Sequence, residues 1–261
     1  MEAAFEARDW AAMRAACTPD AKFEDRRRHV LISYGVDEWV ADRQRGARSG
    51  VHQERRLVVT AGDRVALYRV LATSGPPDGR SEFEHLVLTE VDESGRILAG
   101  VAFDLDGWRA AQAEVLARAL AVDAFAATLR PIYEFALGAN DHDLARVRAA
   151  FADDLVLHDH RRVGMGLVEG ADAYLESLAA LWRLAPDDHG AVAFELARER
   201  YGVVFAVSSI GTLADGGGTY ELPMVIVWIV AGGRITRMEF FEPEEVDAAL
   251  ARFAELRGSG P

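Results

Sequence analysis

The sequence has a single cysteine, Cys17, in 261 residues, which excludes an internal disulfide framework and a cysteine-rich metal site. Its position on an apolar helical stripe predicts a buried packing residue. Positive charge is also scarce, because 29 Lys and Arg stand against 42 Asp and Glu and give a net charge of −13. Nucleic-acid binding normally needs a basic surface, so we expect no nucleic-acid partner.

Long hydrophobic runs are missing too, since no uninterrupted apolar segment could span a bilayer. Residues 1–16 are amphipathic and carry acidic side chains, unlike a signal peptide. We therefore expect a cytoplasmic protein without a membrane partner. Phosphate loops, dinucleotide fingerprints, nucleophile elbows and zinc-ligand spacings are absent as well, so the sequence implies no cofactor and no metal.

What the sequence does contain is a repeat, because residues 21–28 return as residues 155–162. Four positions recur at one offset: Phe23/Leu157, Asp25/Asp159, Arg27/Arg161 and Arg28/Arg162. Fixed-offset similarity of this kind predicts two copies of one fold. We place them at residues 1–120 and 121–261.

Each copy shows the order helix, helix, strand, helix and then a run of antiparallel strands, which predicts an α+β domain with helices covering one sheet. The leading helix is predicted over residues 122–138 in the second copy and is shorter in the first. Residues 224–230 are apolar on both strand faces, as in strands covered on both sides. We therefore expect the two domains to pair with each other as a pseudo-dimer, in a monomer or a homodimer.

Strand alternation identifies a candidate site. It places Phe23, Asp25 and Arg27 on one face, and apolar Phe23 must face the interior. Burial would raise the pKa of Asp25 towards that of a general base, whereas the neighbouring Arg27 would lower it. The pair is therefore either a structural ion pair or a catalytic or ligand contact, and the same alternatives hold for Asp159 with Arg161.

His85 lies mid-strand with apolar neighbours on its face, so it is either a pocket acid, base or ligand contact or a satisfied histidine. His158 and His160 should point away from Asp159, which argues against a metal site there. The remaining candidates are pocket-wall or core aromatics and one strand carboxylate, which is either a pocket acid or exposed: Trp39, Tyr174, Trp108 and Glu221.

Several segments carry a family resemblance: residues 19–25 and 92–97, and their counterparts 152–159 and 231–235. The chain resembles the NTF2-like superfamily of cone-shaped α+β domains, which includes ketosteroid isomerases and SnoaL-like polyketide cyclases. It is also similar to SnoaL-like segments at the ends of actinobacterial regulators. The resemblance implies that Asp25 and Asp159 occupy the general-base position. Val87 and Val225 lie nearest the family's oxyanion-hole acid, so that acid is absent.

The resemblance implies a cofactor-independent acid–base enzyme, of the isomerase, cyclase, dehydratase or hydrolase type, acting on a small, mostly apolar molecule. Asp25 and Asp159 would be bases, and His85 would be a proton partner. The alternative is a non-catalytic small-molecule-binding or interaction module, such as the excised tail of a larger regulator. The fold alone cannot choose between them.

Overall fold

The computed structural model of the chain describes residues 2–75, 79–122 and 125–258. It divides into two compact units, Met1–Ala119 and Leu120–Pro261, called unit 1 and unit 2 below. The predicted start of the second leading helix, at Asp123, lies outside the described residues. Among the helices of the described residues, none is both long and apolar enough to cross a bilayer.

Unit 1 contains two short helices, a strand, a helix and four long strands before its closing helix. Its elements are α1 (Glu2–Glu6), α2 (Trp10–Ala15), β1 (Cys17–Asp25), β2 (Ile32–Tyr34), α3 (Val36–Arg48), β3 (His52–Ala61), β4 (Val65–Ser74), β5 (Ser81–Val91), β6 (Ile97–Asp104) and α4 (Trp108–Val122). The last of these elements runs past the boundary of unit 1.

Unit 2 repeats this order with a longer leading helix. Its elements are α5 (Ala126–Asn140), α6 (Leu144–Ala150), β7 (Phe151–Asp159), β8 (Leu167–Glu169), α7 (Ala171–Leu184), β9 (His189–Glu199), β10 (Gly202–Leu213), β11 (Gly218–Ala231), β12 (Arg234–Phe241) and α8 (Val246–Glu255). The two units thus confirm the predicted repeat of an α+β fold. The packing of one copy against the other stays a prediction.

The two six-stranded sheets have the same strand order, β2-β1-β6-β5-β4-β3 and β8-β7-β12-β11-β10-β9. The long hairpins are antiparallel, as predicted. However, β1 runs parallel to β6, and β7 runs parallel to β12, so each sheet is mixed rather than antiparallel. The reason is that the last strand of each meander returns beside the first strand, and the chain between them includes a helix and three long strands.

The repeated helices α2 and α6 begin at matched aspartates. The side chain of Asp9 accepts a hydrogen bond from the backbone N–H of Ala12 (2.9 Å), and that of Asp143 accepts one from Arg146 (3.0 Å). These bonds satisfy backbone donors that the first helical turn leaves unpaired. The matched caps set where the repeated helix begins in each copy.

The start of strand 1 differs from the prediction. The sequence predicts a turn at Pro19 and Asp20 before this strand, but only Ala16 separates α2 from β1, which begins at Cys17 and includes Pro19. A register shift between Cys17 and Lys22 accommodates the proline, which cannot donate a ladder hydrogen bond. Cys17 is buried, as predicted, but in a strand rather than a helix, and burial raises the pKa of its thiol.

One face of β1 packs under α3. Ala21, Phe23 and Asp25 are buried, and the alternating residues are more exposed. The ring of Phe23 stacks on Trp39 of α3, with centroids 4.3 Å apart and planes at 8°. A Cβ at Gly100 would lie 2.8 Å from the Phe23 ring, so glycine on β6 makes room for this stack. The packing places Asp25 on the α3 side of the sheet.

Candidate functional site

Unit 1 contains a cavity between α3 and the inner face of its sheet, called the unit 1 cavity below. Its volume is about 80 Å³. One ordered water needs about 10–15 Å³ on the same measure, so the cavity can hold several waters or part of a small molecule. The lining residues that carry polar or aromatic groups are Phe23, Glu24, Asp25, Arg27, Tyr34, Trp39, Arg43, Gln53, Arg55, His85 and Thr89.

Asp25 enters the cavity already paired with Arg27. Its Oδ1 accepts hydrogen bonds from Nε (2.9 Å) and the backbone N–H (3.2 Å) of Arg27, and its Oδ2 accepts one from Nη2 (2.5 Å). The side chain of Asp25 keeps 9% of its surface exposed. The hydrogen bonds that Arg27 donates to Asp25 raise the pKa of Arg27. The ion pair expected from the sequence is present, and it lies in the wall of the cavity.

His85 lies on β5 in the same wall. It is 6% exposed, and its ring stacks on Phe83 with centroids 5.5 Å apart. Its Nδ1 is buried and has no hydrogen-bond partner among the described residues. Burial, and then the charges of Arg27 and Arg43, lower the pKa of His85 from 6.5 to about 4. The imidazole is therefore neutral at neutral pH, with an unsatisfied ring nitrogen in a cavity wall.

Asp159, the counterpart of Asp25 in unit 2, has a carboxylate that solvent cannot reach. Arg161 forks onto it at 2.9 and 2.8 Å, and the backbone N–H of Met165 donates a further bond to Oδ2 (2.9 Å). A Cβ at Gly164 would lie 2.4 Å from the Asp159 carboxyl carbon, so this loop touches the carboxylate directly. The side chain is 0% exposed.

The electrostatics of Asp159 match its contacts. Burial works against the charged form, but the hydrogen bonds from Arg161 and Met165 outweigh burial and hold the pKa of this carboxyl below its usual range. In unit 1, by contrast, no loop residue beyond Arg27 bonds the Asp25 carboxylate within residues 2–75, 79–122 and 125–258. The two aspartates therefore have equivalent arginine partners, but only the Asp25 carboxylate is accessible from a cavity.

The two units also differ beside the aspartate. The strand registers place Met224 of unit 2 at the position that His85 takes in unit 1. They place Ile226 rather than Val225 at the position of Val87, which corrects the prediction by one residue. The cause is the hairpin before the last strand, which is shorter in unit 2. Both positions are apolar, so the absence of the family's acid holds for both copies.

The other predicted site residues are dispersed. Trp39 lines the unit 1 cavity. Tyr174 is buried beside Phe151 in unit 2, and burial raises its pKa. Trp108 opens α4 and lies outside the set of residues that line the unit 1 cavity. Glu221 is exposed and accepts a hydrogen bond from Ser208 (3.0 Å). Of the two alternatives for this residue, a pocket acid or an exposed carboxylate, the structure has the exposed carboxylate.

His158 and His160 point away from Asp159, but they meet a buried carboxylate that the sequence did not reveal. Glu239 on β12 is 0% exposed, and the ligand atoms of the three residues lie within 4.8 Å of one another. Among the residues that the structure describes, these three are the ones whose ligand atoms lie close enough together to bind one metal ion. A metal would displace existing bonds, because both Glu239 oxygens accept from Arg252 and Oε1 also accepts from Arg237.

Several cavity residues escaped the sequence analysis, among them Tyr34, Arg43, Gln53 and Arg55. Arg43 on α3 and Tyr34 on β2 both line the unit 1 cavity, and burial raises the pKa of Tyr34. Arg43 lies four residues after Trp39, so the two side chains share a helix face. That spacing could have indicated Arg43 once Trp39 was identified as a wall residue.

Unit 2 also contains a polar cluster that the sequence analysis missed. Asp188 is buried, and its Oδ1 accepts hydrogen bonds from Ser209 and Tyr220, both at 2.6 Å. Burial and the bond to Asp188 raise the pKa of Tyr220 to about 12. The three groups lie far apart in the sequence, which explains why no motif marked them.

A family model of SnoaL-like domains matches residues 132–238. Among curated proteins, none matches this chain. Similar solved structures include an LEH-like epoxide hydrolase of M. tuberculosis, with 18% identity and a TM-score of 0.38 over 50% of this chain and 93% of that one. A protein of ketosteroid isomerase-like fold from Catenulispora acidiphila DSM 44928, in complex with trimethylamine, has 17% identity and a TM-score of 0.39 over 47% and 92%.

A further similar structure is an uncharacterized cystatin-fold protein from Novosphingobium aromaticivorans, with 20% identity and a TM-score of 0.39 over 44% of this chain and 97% of that one. The matched segment of the family model falls in unit 2, and unit 1 has the same strand order. Residues 132–238 are therefore similar to SnoaL-like domains, and the chain is a tandem of two α+β units with the same strand order.

Proposed function

We propose that the unit 1 cavity is the active site of this protein. There the protein would transform a small molecule by cofactor-independent acid–base chemistry. The observation that carries this proposal is that Asp25 and His85 line one cavity, where His85 has a buried Nδ1 without a partner among the described residues. Titratable groups with perturbed environments in a cleft are typical of functional sites.

The two groups would have complementary roles. Asp25, at the position that the family resemblance gives to the base, would accept a proton from the substrate. His85 is neutral at neutral pH because its pKa is about 4. A neutral imidazole offers one N–H donor and one acceptor, so His85 can stabilise the oxygen on which negative charge develops.

Unit 2 would then have a supporting role. Asp159 has no exposed side-chain surface, and the loop at Gly164 and Met165 covers it. A substrate could reach this carboxylate only if the loop opened. We therefore propose that Asp159 stabilises unit 2 and that only the copy in unit 1 acts on a ligand.

One observation favours a second candidate function, a ligand-binding module without catalysis. Arg27 bonds both oxygens of Asp25. Because both oxygens already accept hydrogen bonds from Arg27, proton abstraction requires this pair to loosen when a substrate binds. If the pair stays closed, the cavity binds a molecule and leaves it unchanged.

The exchange of α-protons of cyclohexanone for deuterium in D₂O, followed by ¹H NMR, separates these functions. The ketone is small, and its exchange needs only a base and a hydrogen-bond donor. We expect Asp25→Asn to slow the protein-catalysed exchange about 100-fold or more, the range for loss of general-base catalysis. Asp159→Asn is the matched control in the sealed copy and should retain the rate of the parent protein.

Circular dichroism would show that both variants are folded. An exchange rate that Asp25→Asn leaves unchanged would contradict the acid–base role. If the protein does not accelerate exchange but cyclohexanone still perturbs the Trp39 resonances, the non-catalytic binding function is the better description.

A further inference from the structure

The unit 1 cavity is rich in cationic groups although the chain as a whole carries a net charge of −13. Three arginines line it, Arg27, Arg43 and Arg55, against two carboxylates, Asp25 and Glu24. Glu24 pairs with Arg26, and Asp25 lies on the inner face of β1. Asp25 is matched by Arg27. The two other guanidiniums come from α3 and β3, so the positive charge is built from separate elements.

Arg43 has an incomplete set of partners. Its Nη2 donates to Asp42 at 2.8 Å, which holds one end of the guanidinium. Its Nε is buried, and nothing in the described part of the chain accepts a hydrogen bond from it. A buried N–H without an acceptor costs roughly 1–3 kcal/mol, so such donors in a cavity wall point to an acceptor supplied from outside.

The pKa of His85 reflects the charges that surround the cavity. Arg27, Arg43 and Arg55 each lower its pKa, whereas Asp25 raises it, and the three cationic effects outweigh the single anionic one. The potential at this imidazole is therefore positive. The Nδ1 of His85 is a second buried atom that lacks a partner within the described ranges. In the tautomer with a proton on Nδ1, it would be another donor facing the same space.

Another part of the cavity wall is flat and apolar. Phe23 and Trp39 stack with planes at 8°, and Val101 and Ala102 lie on the adjacent strand. A ligand that suits this wall has a planar apolar body, because an aromatic face packs against flat carbon surfaces. The polar donors and the apolar wall occupy one cavity, so they would contact different parts of one molecule.

From this arrangement we infer that the unit 1 cavity takes a small organic carboxylate with a planar apolar body, anchored by Arg43 and hydrogen-bonded by His85. This inference rests on the proposed function of the cavity and specifies its ligand class. It narrows the small, mostly apolar molecule expected from the sequence to one that carries a carboxylate. A carboxylate supplies acceptors for both unpaired nitrogens and compensates the positive potential.

Benzoate and benzamide test the inference, because they have nearly the same shape and differ in charge. Each would be titrated into the full chain and followed through the indole N–H resonance of Trp39, assigned with Trp39→Phe. We expect the Kd of benzoate to be at least about tenfold lower than that of benzamide. Added salt should weaken the binding of benzoate and leave that of benzamide unchanged.

Arg43→Gln should remove the preference for benzoate, and Arg43→Lys should restore part of it because the charge returns. Arg45→Gln is the matched control, since Arg45 lies on the same helix and also pairs with Asp42 but is outside the set of cavity-lining residues. It should leave both affinities unchanged. Circular dichroism would establish the fold of each variant.

The possible results separate the two proposals. Equal affinity for benzoate and benzamide, or a preference that survives Arg43→Gln, overturns the carboxylate inference and leaves the cavity as a ligand site. If neither compound shifts the Trp39 resonance, the carboxylate inference is wrong, and the cyclohexanone exchange assay alone decides the proposed function.

Discussion

Acid should destabilise unit 1 through His85, a residue that has no titratable counterpart in unit 2. The unfolded chain takes up a proton on this imidazole near pH 6.5, whereas the folded chain resists protonation down to about pH 4. The contribution of the neutral His85 ring to folding stability is therefore fully present above pH 6.5, the pKa of this residue in the unfolded chain. It is lost as the pH falls from 6.5 to about 4. Arg27, Arg43 and Arg55 add to the effect of burial, and Asp25 opposes it.

The size of the effect follows from the two pKa values. At about 1.4 kcal/mol per pH unit, the difference between 6.5 and about 4 corresponds to about 3 kcal/mol. No discount for solvent screening is needed, since His85 is 6% exposed. This loss is a large fraction of the stability of an ordinary domain, which is about 5–15 kcal/mol.

The perturbation is His85→Met, which introduces the side chain that unit 2 carries at the matching position, Met224. Urea unfolding at about pH 7 and about pH 4 would give the free energy of unfolding of both proteins. Carboxylates also protonate over this interval, but they do so in both. We expect the parent protein to lose about 3 kcal/mol more than the variant.

Exposed His52 provides a control, because His52→Gln should retain the acid sensitivity of the parent. The Cε1–Hε1 resonance of His85, assigned by its loss in His85→Met, gives a second measurement. A titration midpoint near 6.5 for this resonance, or equal losses of stability in the parent and His85→Met, would refute the reasoning.

Two further predictions concern unit 2. Gly164→Ala should lower the free energy of unfolding by about 1–3 kcal/mol, because the added Cβ would lie 2.4 Å from the carboxyl carbon of buried Asp159. Gly107→Ala is the control: its added Cβ would make an ordinary contact of 3.6 Å, so the free energy of unfolding should change little in the same urea titration. Arg252→Gln should cost about 2 kcal/mol or more, since it removes two hydrogen bonds from the fully buried Glu239. Arg257→Gln, which breaks an exposed pair, should cost less than about 1 kcal/mol, and similar losses for the two arginines would contradict this assignment.

Much of the fold could be predicted because its signals are local. Asp9 and Asp143 begin matched helices by capping them, and Phe23 and Asp25 share a face because strand side chains alternate. The parallel pairing of β1 with β6 could not be predicted in this way. It joins residues about 80 positions apart, and loop closure over such a distance leaves no mark on nearby residues.

The candidate site could be predicted in part. The sequence identified Asp25, Arg27, Trp39 and His85, which line the unit 1 cavity together. It did not identify Arg43, because a single arginine on an amphipathic helix looks like any solvated charge until the helix is placed over the sheet.

The sequence by itself determined that this protein is a tandem of two α+β units, each with an inward aspartate and an arginine two residues later. Tertiary structure alone decided that these equivalent aspartates differ. Asp159 is closed off because a loop with Gly164 folds onto its carboxylate, whereas Asp25 borders a cavity to which α3 and β5 contribute Arg43 and His85. Access to a carboxylate depends on which distant segments pack around it, and a repeated motif is the same in both copies whatever covers it.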